Sequence, residues 1–159
     1  PATDIFNLRN KHRLVGKLVG TIAELKSQNS LFGPPLRLLP EEVTVGVESG
    51  ALRLVREDEA GVAHPVTDRE HPAGDADQLR LAVFRELWQR GYYLSSGLSF
   101  AVDYLVYPGD PICWHANYMV RVLPWTEMVF PVNVIGIARL ATAVRKTAVL
   151  ASRATPSTA

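Results

Sequence analysis

The sequence predicts an α+β chain in two parts: a small N-terminal module, then a domain in which short strands are framed by two helices. Three observations carry this prediction. Apolar residues recur at helical spacing within 77–91 and again within 131–146. Short β-rich runs punctuated by glycine and proline lie before and between those helices. Residues 57–76 lose all periodicity and part the two patterns. A chain of 159 residues holds one average domain or two small ones.

Taken in order, "TDIFNLRNKHRL" (3–14) places Ile5, Leu8 and, less regularly, Leu14 on a helical period behind a Thr or Asp cap. "LVGTI" (18–22) is β-like. In "SQNSLFGPPLRLL", the run Gly33-Pro34-Pro35 forces a turn or an extended segment. "PEEVTVGVESG" (40–50) has proline in its first turn, two carboxylates at the positive helix end and Gly50 past the close, which predicts a short helix. "ALRLVRE" (51–57) alternates apolar and charged residues as a half-buried strand does. Residues 1–57 thus form the N-terminal α+β module, and 58–75 a linker. His64 and His71 each precede a proline there and are expected to be solvent-exposed linker histidines, not metal ligands.

The second domain spans 76–159. "DQLRLAVFRELWQRG" sets Leu79, Val83 and Leu87, with Phe84 and Trp88, on one stripe and closes at Gly91, so a helix is expected. Two or three strands follow in "YYLSSG", "FAVDYLVYPG" and "ANYMVRVLP". A helix from Pro131 to Lys146 and a last strand "TAVLAS" complete the order. On that helix Val134, Ile137, Ala138, Ala141 and Val144 form the expected core stripe. Arg139 and Lys146 fall within about 20° of each other on a different face.

Composition narrows the function classes. Hydrophobic residues make up 47% of the chain, ample for a packed core. A net charge of +1 gives no bulk electrostatic sign of nucleic-acid binding, although a local basic patch fits inside a neutral total. The single cysteine, Cys113, excludes an internal disulfide framework and a cysteine-rich zinc site, and favours a reducing compartment. No apolar run reaches the roughly eighteen residues of a membrane-spanning helix. The opening "PATDIFNLRNKHR" has no secretory apolar region, and without an initial Met the sequence reads as part of a longer chain.

The densest chemistry lies in "YPGDPICWHANY", residues 107–118. Tyr107 ends an apolar strand and His115 opens the next, while Lys146 sits at the expected helix end. Each has a structural reading: a strand aromatic, a satisfied histidine, a cation at the negative helix terminus. Asp110 reads as a turn residue within "PGDP". Asp103 and Asp110 stand apart without a partner Glu, so a two-metal nuclease site is poorly supported. Together these residues put a tyrosine, a histidine and a lysine near one turn and one helix end.

"GYYLSSGLSFAVDYLVYPGDPICWHANYMVRV" followed by "ARLATAVRKTAVLAS" resembles the catalytic domain of tRNA-splicing endonucleases, and most of all the eukaryotic catalytic subunit that cuts the 3′ splice site. The motif residues are Tyr107, Pro108, Gly109, Asp110, Pro111, His115, Ala116, Tyr118, Arg145 and Lys146. The likeness reaches upstream through "HPAGDADQLRLAVFRELWQRGYYL" and into the N-terminal "GKLVGTIAELKSQNSLFGPPLRLLPEEV", about 85–90% of the chain. It departs at Ala101 and Val102, where relatives usually carry a glycine pair. It departs too at "ASRATPSTA", where relatives continue into a strand used for subunit pairing, and in the short linker.

The resemblance implies an endonuclease-like α/β domain with a mixed central sheet flanked by helices. It implies metal-independent, cofactor-free RNA cleavage with Tyr107 as general base, His115 as general acid and Lys146 stabilising the phosphorane charge. The expected products are a 2′,3′-cyclic phosphate and a 5′-hydroxyl, a lyase-type outcome. A histidine suits proton transfer near neutrality, and a cation beside a tyrosine favours the phenolate. The implied partners are precursor tRNA, a structural subunit as direct dimer partner, and a second such pair in a heterotetramer, all in the nucleus and away from membranes. The competing expectation is a non-catalytic structural or RNA-binding subunit that kept the fold.

Overall fold

The computed structural model describes residues 2–20, 33–66 and 71–153. The chain divides into two compact units, residues 1–73 and 74–159.

In the first unit, α1 (Ala2–His12) leads into β1 (Lys17–Gly20), which pairs antiparallel with β2 (Gly33–Arg37). Part of "LVGTI" and the start of "SQNSLFGPPLRLL" lie outside the described residues, and Gly33-Pro34-Pro35 is extended. Helix α2 (Pro40–Glu48) forms as expected, with proline in its first turn and Gly50 at φ 73 beyond its end. Its inner face organises the unit. Glu42 is 1% exposed, and its carboxylate accepts the N–H groups of Val15 (2.7 Å), Gly16 (2.9 Å) and Leu39 (2.8 Å). One buried side chain thus satisfies the entry to β1 and the N-terminus of its own helix. Leu14, Val15 and Val45 are buried in the same unit. Gly46 admits the close approach of Leu52, whose Cδ1 would lie 2.5 Å from a Cβ there.

Two expectations for this part need correcting. The alternating "ALRLVRE" is not a half-buried strand: only β3 (Val55–Glu57) is extended, and all three of its residues are exposed. The linker is not featureless, since β4 (Ala63–Pro65) within it pairs back onto β3. The Asp58 carboxylate closes that hairpin by accepting the N–H groups of Ala60 and Val62, both at 2.9 Å. His64 is exposed as expected, 2.9 Å from Asp58, whose carboxyl is held below its ordinary value chiefly by that contact. His71 is half-buried, its Nδ1 3.0 Å from the Thr44 hydroxyl on α2, so it belongs to the packed module.

In the second unit, α3 (Asp75–Gln89) precedes β5 (Tyr93–Ser96), a 3-10 turn (Leu98–Phe100), β6 (Tyr104–Tyr107) and β7 (Tyr118–Val122). Helix α4 (Pro131–Ala143) then returns the chain to β8 (Thr147–Ala151). The sheet runs β5-β6-β7-β8, antiparallel except for the parallel β7–β8 pair, which makes it mixed. A parallel neighbour needs a crossover, and α4 supplies it.

Alternation sends Leu94, Tyr104, Val106 and Val120 to one face and Leu105, Met119 and Ala148 to the other. Phe84 of α3, fully buried, meets Tyr104 edge-on at 5.6 Å between ring centroids. On the opposite face Leu140 and Ala141 of α4, and Val144 just past its end, pack on Leu105, Met119 and Ala148. Helices therefore flank both faces.

Both helical stripes differ from expectation in detail. On α3 the buried pair is Leu81 and Phe84, while Leu79, Val83 and Leu87 are half-buried. On α4 only Ala141 is buried; Val134 and Ala138 are exposed, because only the C-terminal half of the helix lies on the sheet. Ala101 holds the left-handed conformation at φ 53 that glycine favours.

Burial outweighs the three N–H donors at Glu42 and raises its carboxyl above the ordinary 4.5. The folded state then binds that proton more tightly than the unfolded state, so this group's contribution is greatest below its unfolded value and is lost as pH rises through the raised one. Glu42→Gln removes this pH dependence. It also turns an amide NH₂ toward a backbone donor, and should cost about 1–3 kcal/mol in urea unfolding.

Candidate active site

Strand direction gathers the site. Because β6 and β7 are antiparallel and β7 and β8 parallel, the end of β6 and the starts of β7 and β8 share one edge of the sheet. Tyr107 is the last residue of β6, His115 lies three residues before β7, and Lys146 immediately precedes β8. Val106 pairs with Tyr118, and Tyr118 with Thr147. One step beyond that row, Tyr107 and Lys146 flank Asn117. Asn117 donates its N–H to the Val106 carbonyl (2.9 Å), and its carbonyl accepts the Thr147 N–H (2.9 Å). With strands about 4.8 Å apart, the backbones of Tyr107 and Lys146 stand roughly 10 Å from each other, within reach of two long side chains. Alternation turns Tyr107 toward the α4 face, the face of Leu105 and Met119, while Asn117 is exposed and Lys146 half-buried at the same edge.

Lys146 reaches that row by a route the sequence did not indicate. The helix was expected to run to Lys146, but α4 ends at Ala143. Arg145 takes the left-handed conformation at φ 54. Its N–H bonds the Thr142 carbonyl (3.1 Å), and the Lys146 N–H bonds the Ala141 carbonyl (2.8 Å). This is a Schellman closure with arginine where glycine is usual. Lys146 therefore leaves the helix, and its shared azimuth with Arg139 does not survive. The reversal directs the half-buried Lys146 onto the sheet edge.

The connection 108–117 is a folded ten-residue loop, not a tight hairpin turn. Asp110 holds it: its carboxylate accepts the Ile112 N–H at 2.8 Å, and its carbonyl accepts those of Cys113 (2.9 Å) and Trp114 (3.0 Å). Gly109 is required by close approach, since a Cβ there would lie 2.5 Å from Cδ1 and Nε1 of Trp114. The loop presents His115 exposed, while the adjoining Ala116 is buried in the α4-side core. Tyr107 is half-buried against that core, and its hydroxyl lies 3.2 Å from Ser95 Oγ.

Asp103 is a structural residue at the other end of the sheet. Its Oδ2 accepts the Val122 N–H (2.8 Å) and faces Arg121 Nη1 at 3.6 Å. Among the described residues no group of three or more His, Cys, Asp or Glu side chains converges as metal ligands. Sequence reading missed Ser95 and Asn117. Their signal is the period of two, which sets Ser95 beside Tyr107 and Asn117 between Tyr107 and Lys146 once the register is known.

This arrangement coincides with two family matches. Residues 78–157 match the family described as tRNA intron endonuclease, catalytic C-terminal domain. The chain belongs to the tRNA intron endonuclease family. Residues 1–57 match the domain described as TSEN34-like, N-terminal domain. The chain is 33% identical over 127 residues to a tRNA-splicing endonuclease of Hyperthermus butylicus, covering 79% of this chain and 70% of that protein. It is 39% identical over 85 residues to tRNA-splicing endonuclease subunit Sen34 of Homo sapiens, covering 54% of this chain and 27% of the human protein. A probable tRNA-splicing endonuclease subunit sen34 of Schizosaccharomyces pombe is 38% identical over 68 residues, 43% of this chain and 24% of its own length. The chain thus spans about a quarter of the eukaryotic relatives it matches.

Arg145 pays the steric cost of a left-handed residue with a Cβ. Arg145→Gly should stabilise the second unit by about 0.5–1 kcal/mol, read as a raised urea midpoint, with the β7–β8 pairing intact.

Proposed function

We propose that the chain is the catalytic part of a tRNA-splicing endonuclease subunit that cuts precursor tRNA at the 3′ splice site. The observation that supports this reading is that Tyr107 ends β6 and Lys146 precedes β8 at the sheet edge to which the loop carrying His115 returns, in a chain of this family. Tyr107, as phenolate, accepts the proton of the 2′-hydroxyl beside the scissile bond. The 2′-oxygen attacks phosphorus, and the bond from phosphorus to the 5′-oxygen breaks. His115, as imidazolium, donates its proton to that 5′-oxygen, and Lys146 offsets the charge on the equatorial phosphorane oxygens. The products are a 2′,3′-cyclic phosphate and a 5′-hydroxyl. Every transferred proton is accounted for by these side chains, so no metal or other cofactor enters the scheme. The exposure of His115 suits a group that meets its substrate from solvent.

The assembly proposed is a heterotetramer in the nucleus: a structural subunit as direct partner, and a second pair of the same kind. Exposed apolar surface supports partner binding, with Trp125 70%, Met128 76%, Phe130 57% and Val132 70% accessible. Precursor tRNA is read there by shape and by unstacked nucleotides at the intron junction.

The test is 3′-junction cleavage by the reconstituted complex. Cutting should be unchanged in excess EDTA and yield the cyclic phosphate. His115→Ala should slow single-turnover cleavage by about 10²- to 10⁴-fold, and Lys146→Ala by about 10²- to 10³-fold. Loss of cutting in EDTA, or full activity of His115→Ala, would overturn the mechanism; wild-type complex that binds tRNA without cutting it would favour the non-catalytic alternative.

A further inference from the structure

The Tyr107 phenol does not stand alone on its face of the sheet. In the β5–β6 ladder Tyr93 pairs with Tyr107 and Ser95 with Leu105, so Tyr93 and Ser95 share the face to which Leu105 and Tyr107 point. The Tyr107 ring packs against the core formed by Leu105, Ala116, Met119 and Ala141, which limits its motion. Its hydroxyl reaches back along the neighbouring strand to Ser95 Oγ, 3.2 Å away in a half-buried setting. Both strands hold their partners in register by backbone hydrogen bonds, so the contact is built on rigid elements.

We propose that Ser95 is the positioning residue for Tyr107, holding the phenol oxygen in place and donating a hydrogen bond to it whenever it is ionised. The inference rests on the reading of Tyr107 as general base. A serine hydroxyl is both donor and acceptor. Toward a neutral phenol it accepts; toward a phenolate it turns and donates, favouring the charged form. Ser95 touches no reacting atom and acts through Tyr107 alone. When the 2′-hydroxyl proton moves to Tyr107, the serine proton rotates away and the bond reverses, so no proton is gained or lost by Ser95. Of the two serines of β5, Ser95 has this face and meets the phenol, while Ser96 alternates to the α3 side, opposite Tyr104.

The consequence is specific in its pH dependence. The productive form has an ionised tyrosine beside a protonated histidine, the reverse of the order in which those side chains ordinarily lose protons. The upper limb of the pH–rate profile then reports the tyrosine, and the height of the plateau falls in step as that limb moves up. Removing a donor to the phenolate should do both together. A merely structural serine would lower the plateau and leave the limb where it was.

The experiment is single-turnover cleavage of intron-containing tRNA by the reconstituted complex, across pH, with Ser95→Ala, Ser95→Thr and Tyr107→Phe. Ser95→Ala should lower the plateau about tenfold and raise the upper limb by about one pH unit, with tRNA affinity unchanged. Ser95→Thr restores the hydroxyl on a residue that strands favour and should recover both values. If Ser95→Ala lowers the plateau without moving the limb, or changes neither, the proposal is overturned. Tyr107→Phe separates the two claims. Full activity in Tyr107→Phe removes the base assignment itself. Loss of activity there, beside an unaffected Ser95→Ala, removes only the role of Ser95.

Discussion

The second unit depends on one constraint of chain direction. Strands β6 and β7 run antiparallel and β7 and β8 parallel, so three termini meet at a single sheet edge. The parallel pair cannot be closed by a short turn, and the crossover helix α4 exists to meet that requirement. The same helix covers the face on which Tyr107 stands, and the turn after it delivers Lys146. Fold closure and the gathering of the candidate site are one event here. A shift of one residue in the β7–β8 register would turn Ala148 away from the α4 face and displace Lys146 along the edge.

Local devices then fix each side chain on that frame. Asp110 gathers three backbone N–H groups and holds the loop that carries His115. Arg145 accepts a strained backbone so that the chain can leave α4 and enter β8 without a spacer. Packing does the same for Tyr107, whose ring is half-buried while its hydroxyl is shared with Ser95. These are separate means to one end: side chains held by backbone geometry have less conformational entropy left to lose in any further contact. The first unit shows the same economy, with one buried carboxylate, Glu42, satisfying three backbone donors at the junction of α1, β1 and α2.

Much of this was legible in the residues. Helical periodicity located α1, α2 and α3, and the aromatic and β-branched runs located β5, β6, β7 and β8. The motif from Tyr107 to Tyr118 marked the candidate site. The errors have identifiable causes. "ALRLVRE" alternates correctly, but its last three residues pair only with the short β4, so alternation there signals no burial. The stripe expected on α4 assumed that its whole length lies on the sheet, and only its C-terminal half does. His71 looked like linker because its partner, Thr44, lies twenty-seven residues away.

By itself, the sequence determined the kinds of elements, their order and the residues with chemistry to offer, because propensity, periodicity and turn composition are local properties of the chain. Only the tertiary structure decided that Tyr107 and Lys146 stand at one sheet edge on either side of Asn117, and that Ser95 rather than Ser96 meets the phenol. Those facts follow from strand register and from the left-handed turn at Arg145. Register is a relation between distant segments, set when two faces of the sheet are buried at once. No stretch of a dozen residues carries it.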